Sequence, residues 1–236
     1  MIKPYNTSEN KKKEIKKMFN NIAKSYDTLN RILSLGIDIW WRNLAVKQLN
    51  HPNKILDVAT GTADFAISAA KNTNASITGI DISDKMLEIG EQKIKKLNLE
   101  NRIKLKLGDA EESNFQENSF DAITIGFGVR NFENLDLGLK EMHRILKKNG
   151  KIAILEPSIP TKFPLKQIYN LYFQFLLPKI GGWFSKDKSA YSYLHNSVKS
   201  FPSKKEFLEK LKKIGFKKQR HISLSLGIVS LYIAIK

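Results

Sequence analysis

The sequence predicts an α/β fold, built on a doubly wound and mainly parallel sheet of seven strands. From Lys54 onward, short apolar runs alternate with segments of helical periodicity, which is typical of βαβ units. The first run ends in a turn of small residues, 59–63, that opens into a helix. Of the 236 residues, 42% are hydrophobic, which is enough for one large domain with a sizeable core.

Residues 1–50 are predicted to form an N-terminal helical lid on a main domain of residues 51–236. The first 13 residues are polar and rich in lysine, and we expect them to fray. Apolar residues then recur at helical spacing: Ile15, Met18, Phe19, Ile22, Tyr26 and Leu29. A basic amphipathic helix that faces a membrane is the alternative to a lid. A second helix is expected over 37–49.

The main domain is predicted to alternate strands with helices. Strands are expected over 54–59, 75–81, 102–107, 119–127 and 151–155, and helices over 63–71, 84–97 and 135–147. Ser83 is a candidate N-cap, and Lys147 and Lys148 suit the negative end of the last of these helices. A final helix is expected to begin after Ser203 and end at Gly215, ahead of two antiparallel strands over 216–223 and 227–235.

Residues 157–200 interrupt this alternation and are predicted to be an insertion after the fifth strand. Prolines punctuate an aromatic stretch, 168–177, that is too short to span a bilayer. An insertion of this length usually serves a function. We interpret it as a cover over an apolar substrate, the alternative being a helix buried on the sheet.

The chain is strongly basic, with 40 Lys and Arg against 23 Asp and Glu, a net charge of +17. This excess fits an anionic membrane surface or a lysine-rich codon bias. A nucleic-acid partner is not expected, because no basic stripe interleaved with aromatic residues is seen. Cysteine is absent, which excludes disulfides and thiolate chemistry and fits the cytoplasm. The four histidines lack metal-ligand spacing, so no metal is expected.

The turn at 59–63 indicates which ligand sits above it. It lacks the G-x-G-x-x-G of a dinucleotide loop and the Gly-Lys-Ser/Thr of a Walker loop. The pattern acidic-x-small-x-Gly-x-small, from Asp57 to Ala63, resembles the first motif of Rossmann-like class I S-adenosylmethionine-dependent methyltransferases. That ligand offers a carboxylate, an amine, a ribose and an adenine, and no pyrophosphate.

Candidate cofactor-binding residues lie at successive predicted strand ends. They are Asp57, Thr60, Gly61, Asp81, Asp109, Ala110 and Gly126. Thr60 and Gly61 are expected beside the methionine carboxylate. Asp81, about 20 residues after the turn, suits the ribose hydroxyls. The Asp109 carboxylate and the Ala110 N–H suit the adenine amine and a ring nitrogen.

Longer segments carry a more specific resemblance, covering the chain from about residue 14 to 235. They are Phe19-x-x-Ile22-Ala23-x-x-Tyr26-Asp27, Gly126-Phe127-Gly128-Val129-Arg130-Asn131-Phe132, Leu155-Glu156-Pro157-Ser158 and Lys188-Ser189-Ala190-Tyr191. They are similar to the ubiquinone/menaquinone biosynthesis C-methyltransferase family, and most of all to demethylmenaquinone methyltransferases. The resemblance implies S-adenosylmethionine as methyl donor, bound by Thr60, Asp81, Asp109 and Ala110. It implies a ring carbon of a prenylated hydroquinone as acceptor.

Three positions depart from that family pattern. Ala63 replaces the usual glycine and is expected to add a methyl group close to the cofactor. Gly126 stands where some relatives carry serine, and Pro157 stands where phenylalanine is common. None of the three removes a charged group that is expected to act.

The expected chemistry assigns roles to residues of these segments. A hydroquinone hydroxyl has a pKa of about 10, like tyrosine, and losing its proton makes the ring carbon nucleophilic. Arg130 stays charged and suits stabilisation of the phenolate. Asn131 can orient a hydroquinone oxygen or a water. Tyr26 and Tyr191 are candidate contacts to the head group or proton relays, together with Tyr193 and His195.

An isoprenoid tail lies in the bilayer, so the protein is expected to be cytoplasmic and peripheral to the inner face of the membrane. The basic N-terminal helix and the aromatic insertion are the expected points of transient contact. The sequence does not decide between a monomer and a homodimer. The alternatives are a benzoquinol acceptor of ubiquinone synthesis, another small-molecule or lipid methyltransferase, and a non-catalytic cofactor-binding scaffold in a quinone-synthesis complex.

Overall fold

The computed structural model describes residues 2–171 and 188–236, and seven strands in these ranges form one sheet. The strands are β1 (Lys54–Val58), β2 (Ser76–Asp81), β3 (Ile103–Leu107), β4 (Phe120–Gly126), β5 (Leu146–Pro157), β6 (Lys217–Leu224) and β7 (Val229–Ile235). Their order is β3-β2-β1-β4-β5-β7-β6. Strand β7 runs antiparallel to both of its neighbours, and the other pairs are parallel. The predicted doubly wound, mainly parallel sheet is confirmed.

The helices of the described ranges precede and connect these strands. They are α1 (Lys11–Leu33), α2 (Asp38–Val46), α3 (Asp64–Asn72), α4 (Asp84–Lys96), α5 (Leu135–Ile145), α6 (Leu165–Leu171), α7 (Lys188–Ser200) and α8 (Lys204–Ile214). The predicted caps are confirmed. Ser83 accepts the N–H of Met86, and Ser203 forms a capping box with Glu206. Gly215 ends α8 in the left-handed conformation.

The core lies in two layers, one on each face of the sheet. Ile55 of β1 packs with α2 and α3 in one layer, and its neighbour Leu56 packs with α5 and α8 in the other. Successive side chains of a strand point to opposite faces. Because β1 and β4 are buried on both faces, they read as continuous apolar runs in the sequence.

The predicted end of the helix before β5 is wrong. Helix α5 ends at Ile145, and Lys147 belongs to β5, which begins at Leu146. Leu146 is fully buried with extended backbone and pairs with Phe120 of β4. Lys147 forms an ion pair with Asp121, 2.7 Å from Nζ to Oδ1. Pairing with β4 therefore places Leu146 and Lys147 in the sheet, although the local sequence pattern predicts that the helix continues through them.

The expectation that the first residues fray is also wrong. The buried carboxylate of Glu14 accepts the backbone N–H groups of Tyr5 and Thr7, each at 2.7 Å, and the Thr7 hydroxyl at 2.7 Å. Burial opposes ionisation, but the bonds from Thr7 and Tyr5 outweigh it and lower the pKa of Glu14. A buried carboxylate needs donors, and the N-terminal segment supplies them by folding back against α1.

Part of the predicted insertion lies outside the described residues, including most of the aromatic stretch at 168–177. Its flanks are described as α6 and α7. Tyr169 and Tyr193 on these two helices are buried. Among the described helices, none has the length and apolar character needed to cross a bilayer.

Candidate functional site

A cavity of about 70 Å³ lies at the carboxyl ends of β1, β2 and β4, beneath α1. Five of the seven predicted cofactor residues line it: Gly61, Asp81, Asp109, Ala110 and Gly126. They converge because parallel strands end at the same edge of a sheet, where open α/β folds bind ligands.

The turn after β1 is held in a left-handed backbone at alternate residues. Ala59, Gly61 and Ala63 have φ of 51°, 55° and 67°. The Gly61 N–H donates to Asp81 Oδ2 at 2.9 Å, and the Ser83 N–H donates to Asp81 Oδ1 at 2.8 Å. Burial raises the pKa of Asp81. Since an ionised carboxylate offers about four acceptor positions, Asp81 retains capacity for the two hydroxyls of a ribose.

Asp57 and Thr60 are the two predicted cofactor residues that lie behind the cavity wall. Asp57 is fully buried and accepts the hydroxyls of Thr60 and Thr124, each at 2.6 Å. Burial raises the pKa of Asp57 to about 6. The Thr60 hydroxyl therefore donates its proton to Asp57 in this structure. Both side chains hold the turn in place from within the sheet.

The two small-residue departures meet different surroundings. The Ala63 methyl is fully buried and faces Gly90 of α4, whose own Cβ would lie 3.3 Å from it. The Ala63 methyl is therefore directed at α4, and Ala63 is not among the residues that line the cavity. Gly126 does line the cavity, and a Cβ there would lie 2.9 Å from the ring of Phe65. A serine at this position requires that ring to shift.

The N-terminal half of α1 is fastened across the cavity by two lysines. Lys12 forms an ion pair with Asp109, the residue predicted to meet the adenine. The neighbouring Lys11 is buried and donates from Nζ to the carbonyl of Phe132 at 2.7 Å. Burial lowers the pKa of Lys11 to about 8. Both contacts tie the helix to loops that line the cavity.

The middle of α1 is joined to the opposite wall. Asn20 accepts the Ser83 hydroxyl at 2.6 Å. Asp27 accepts the Thr62 hydroxyl at 2.5 Å and pairs with Lys93 at 2.8 Å. Because Thr62 belongs to the turn after β1, α1 and the turn are held as one unit. The apolar face of α1 packs against α7 and is not turned to solvent.

A second cavity of about 410 Å³ adjoins the first. The two share Phe19, Tyr26, Phe127 and Asn131 in their walls. The rest of the second wall is mostly aliphatic or aromatic, and includes Met18, Ile22, Leu29, Leu33, Trp41 and Leu165. We call these four shared residues the partition. A polar site lies on one side of it and a large apolar site lies on the other.

Arg130 lies in the wall of the second cavity, nine-tenths buried. Its Nη1 is 3.0 Å from Oε2 of Glu156, which is 1% exposed. Burial raises the pKa of Glu156, and the Arg130 charge opposes that rise. The buried Nε–H of Arg130 has no hydrogen-bond partner within the described parts of the chain. A buried donor without a partner lowers the stability of the protein. A ligand oxygen that accepts from this N–H therefore gains more binding free energy than one at a donor that is already paired.

Of the other predicted catalytic residues, Tyr26 and Asn131 lie in the partition, and Tyr193 contacts it. The Tyr193 hydroxyl donates to Asn131 Oδ1 at 3.1 Å, and burial raises the pKa of Tyr193. Tyr26 lines both cavities, and burial raises its pKa as well. Tyr191 lies on α7, but its side chain is outside the described residues. His195, on the same helix, is half-buried and is not among the cavity-lining residues.

Glu156 is a candidate functional side chain that the sequence did not single out. It stands in the quoted segment Leu155-Glu156-Pro157-Ser158, at the end of β5 and on the same sheet edge as Asp81. That position was the available signal. No group of three or more His, Asp or Glu side chains in residues 2–171 and 188–236 is placed to hold a metal ion.

Comparisons with known proteins match this architecture over the whole chain. The chain is 44% identical to the demethylmenaquinone methyltransferase of Bacteroides fragilis, covering 100% of this chain and 97% of that protein. It is 48% identical to the ubiquinone/menaquinone biosynthesis C-methyltransferase UbiE of Citrifermentans bemidjiense, covering 96% and 97%.

A solved SAM-dependent methyltransferase from Aquifex aeolicus shares the fold. Its TM-score is 0.62 at 16% identity, and the match covers 84% of this chain and 91% of that one. The model of the ubiE/COQ5 methyltransferase family matches residues 6–236. With the full-length relatives and the sheet order, this match establishes that the chain belongs to the ubiE/COQ5 methyltransferase family.

Proposed function

We propose that the protein transfers a methyl group from S-adenosylmethionine to a ring carbon of a prenylated hydroquinone, converting demethylmenaquinol to menaquinol. The observation that carries this proposal is the pair of adjoining cavities. One is edged by acceptor carboxylates and the other is large and apolar, with Arg130 at its wall. A polar nucleoside and a prenylated ring would meet across the partition.

The residues of the smaller cavity suit the methyl donor. Asp81 keeps acceptor positions for ribose hydroxyls, and Asp109 with Ala110 offers a carboxylate and a backbone N–H to an adenine. Gly126 lines the cavity with backbone alone, so a ligand can approach the chain closely there. When bound, S-adenosylmethionine supplies a methyl group on a positively charged sulfur. Asp57 and Thr60 act indirectly, by fixing the turn that presents Gly61.

The residues of the larger cavity suit the acceptor. The unpartnered Nε–H of Arg130 is a fixed donor for a hydroquinone oxygen, and its strength grows as that oxygen becomes anionic. Asn131, held by Tyr193, can orient the ring or the second oxygen. The aliphatic wall surrounds the proximal isoprenoid unit and excludes water, which strengthens the contact between guanidinium and phenolate.

A defined reaction tests this function. The protein is incubated with methyl-labelled S-adenosylmethionine and a short-chain demethylmenaquinol, and the product is analysed by NMR. The label is expected on a ring carbon. A methyl ether, or cofactor binding without turnover, would overturn the proposal in favour of an O-methyltransferase or a scaffold. A parallel reaction with a benzoquinol decides the acceptor class, and faster methylation of the benzoquinol would overturn the naphthoquinol assignment.

We infer that the enzyme meets its substrate at the inner face of the cytoplasmic membrane, because the prenyl tail stays in the bilayer. The net charge of +17 supports attraction to anionic lipid. Not every lysine of α1 is available for this contact. Lys11 and Lys12 are engaged within the protein, as is Lys16, 3.3 Å from Asp84.

A further inference from the structure

Four exposed apolar side chains lie on chain segments that contribute to the wall of the larger cavity, Phe163 two residues before Leu165 and Leu226 two residues before Ile228. Leu35 is 85% exposed, Phe163 81%, Leu226 73% and Ile228 40%. Leu35 and Ile228 also line the cavity, so they stand at its mouth. We call these four residues the apolar rim. Exposed apolar side chains that gather in one place on a protein surface usually mark an interaction site.

Three separate chain segments are held together to form this rim. The Trp41 indole donates to the Ser225 hydroxyl at 2.8 Å, which fastens α2 beside the short helical turn Ser225–Gly227. The Ser158 hydroxyl donates to the Gly227 carbonyl at 2.7 Å. A Cβ on Gly227 would lie 3.5 Å from Pro160, three residues before Phe163. The rim is therefore a built surface and not a chance grouping of loops.

Two rim leucines sit in a backbone conformation that leucine rarely adopts. Leu35 has φ of 51° and Leu226 has φ of 60°, both in the left-handed region. Each leucine is also largely exposed, so the isolated fold gains little burial from it. Strain that brings no packing in the isolated protein indicates that these side chains are buried against something else.

The charge around the rim indicates what that partner is. The contributing segments 28–41, 157–171 and 222–231 hold one carboxylate, Asp38, which is buried and paired with Arg42 at 2.5 Å. Lys162 and Lys166 flank Phe163 and are exposed. Aliphatic side chains bordered by lysines, without exposed carboxylates, complement an anionic phospholipid surface. Two copies meeting rim to rim would instead bring like charges together.

We propose that the apolar rim inserts into an anionic bilayer, so that the larger cavity opens directly into the hydrocarbon. A prenyl tail then passes from the lipid into the cavity without crossing water. This proposal rests on the proposed function, since it explains how a bilayer-held substrate reaches Arg130. It assigns membrane contact to the turn after α1, the segment before α6 and the turn between β6 and β7.

The experiment compares two doubly substituted proteins in vesicle flotation. Leu226→Asn with Phe163→Ser removes two rim side chains, and asparagine tolerates the left-handed backbone at 226. Leu97→Asn with Leu137→Asn is the control, because both leucines are exposed outside the rim. Vesicles contain phosphatidylcholine with or without a quarter of phosphatidylglycerol. The rim variant is expected to bind anionic vesicles at least about tenfold more weakly, and the control is expected to match the wild type.

Activity assays separate this proposal from the proposed function. The rim variant is expected to methylate a short-chain quinol in solution at the wild-type rate, and a long-chain quinol in vesicles at least about tenfold more slowly. Unchanged flotation of the rim variant would overturn the rim proposal. The proposal would also be overturned if the wild type and the control variant were dimers in solution and the rim variant were a monomer. Failure of the wild type to methylate any quinol would refute the proposed function, while flotation still decides the rim.

Discussion

Replacing Glu156 by glutamine is expected to destabilise the protein and slow methyl transfer without weakening cofactor binding. Glu156 and Arg130 form a buried pair, 3.0 Å apart, with side chains 1% and 9% exposed. The second carboxylate oxygen accepts the Arg130 backbone N–H at 3.4 Å. Glutamine keeps one acceptor oxygen but removes the charge, and its amide group places a donor near a guanidinium that already holds an unpartnered Nε–H.

The size of the effect follows from leaving one buried charge uncompensated. Such changes cost about 3–5 kcal/mol of unfolding free energy. In a protein of this length each kcal/mol lowers Tm by about 2–4 °C, so Tm should fall by roughly 6–20 °C. The kcat should fall with little change in the Kd of S-adenosylmethionine, because Glu156 positions Arg130 and is not among the residues that line the smaller cavity.

Denaturant unfolding and single-turnover kinetics measure these two effects. Glu206→Gln is the matched control, because it replaces glutamate by glutamine in the capping box of α8, at the protein surface. Arg130→Leu with Glu156→Leu removes both charges and is expected to recover much of the stability while staying inactive. The reasoning is refuted if Glu156→Gln unfolds within about 1 kcal/mol of the wild type, or if it methylates at the wild-type rate.

Four further outcomes are expected. Burial raises the pKa of Asp57 to about 6, above its unfolded value of 3.8, so its share of stability is present at low pH and is lost as pH rises from 4 to 6. Relative to the wild type, Asp57→Asn should therefore gain about 2 kcal/mol of unfolding free energy between these pH values, and a parallel pair of pH profiles would contradict this. Asp81→Ala should weaken S-adenosylmethionine binding at least about tenfold in calorimetry, and an unchanged affinity would remove Asp81 from the site. Arg130→Ala should retain that affinity and lose turnover, so wild-type turnover would disprove the phenolate role. Gly128→Ala would bring a Cβ to 2.5 Å from Ala59 in the cofactor turn; we expect a loss of about 1–3 kcal/mol in thermal unfolding, and wild-type stability would show that the turn yields.

The sheet and most helix ends could be read from the sequence because their causes are local. Ser83, Ser203 and Gly215 act on the backbone beside them, so their caps follow from residue type and position. The end of α5 has a distant cause. Leu146 leaves the helix because it pairs with Phe120 of β4, and nothing near Leu146 in the sequence records that pairing.

That the candidate cofactor residues converge on one sheet edge was predictable for a similar reason, and the orientation of their side chains was not. Asp81 ends β2 and Asp109 follows β3, and parallel strands bring their carboxyl ends to one edge of a sheet. The direction of the Thr60 hydroxyl depends on a buried Asp57 that needs donors. The Ala63 methyl faces α4 because the turn is left-handed at that residue. Packing decides both.

The sequence by itself determined the fold class, the ligand turn and the family, since periodicity, turn residues and short motifs are properties of neighbouring residues. The tertiary structure alone decided how distant residues meet. Lys12 reaches Asp109 across 97 positions, and Trp41 reaches Ser225 across 184. The first contact fastens α1 over the smaller cavity, and the second helps to build the apolar rim. Such contacts depend on the relative placement of whole helices and strands, which no local pattern specifies.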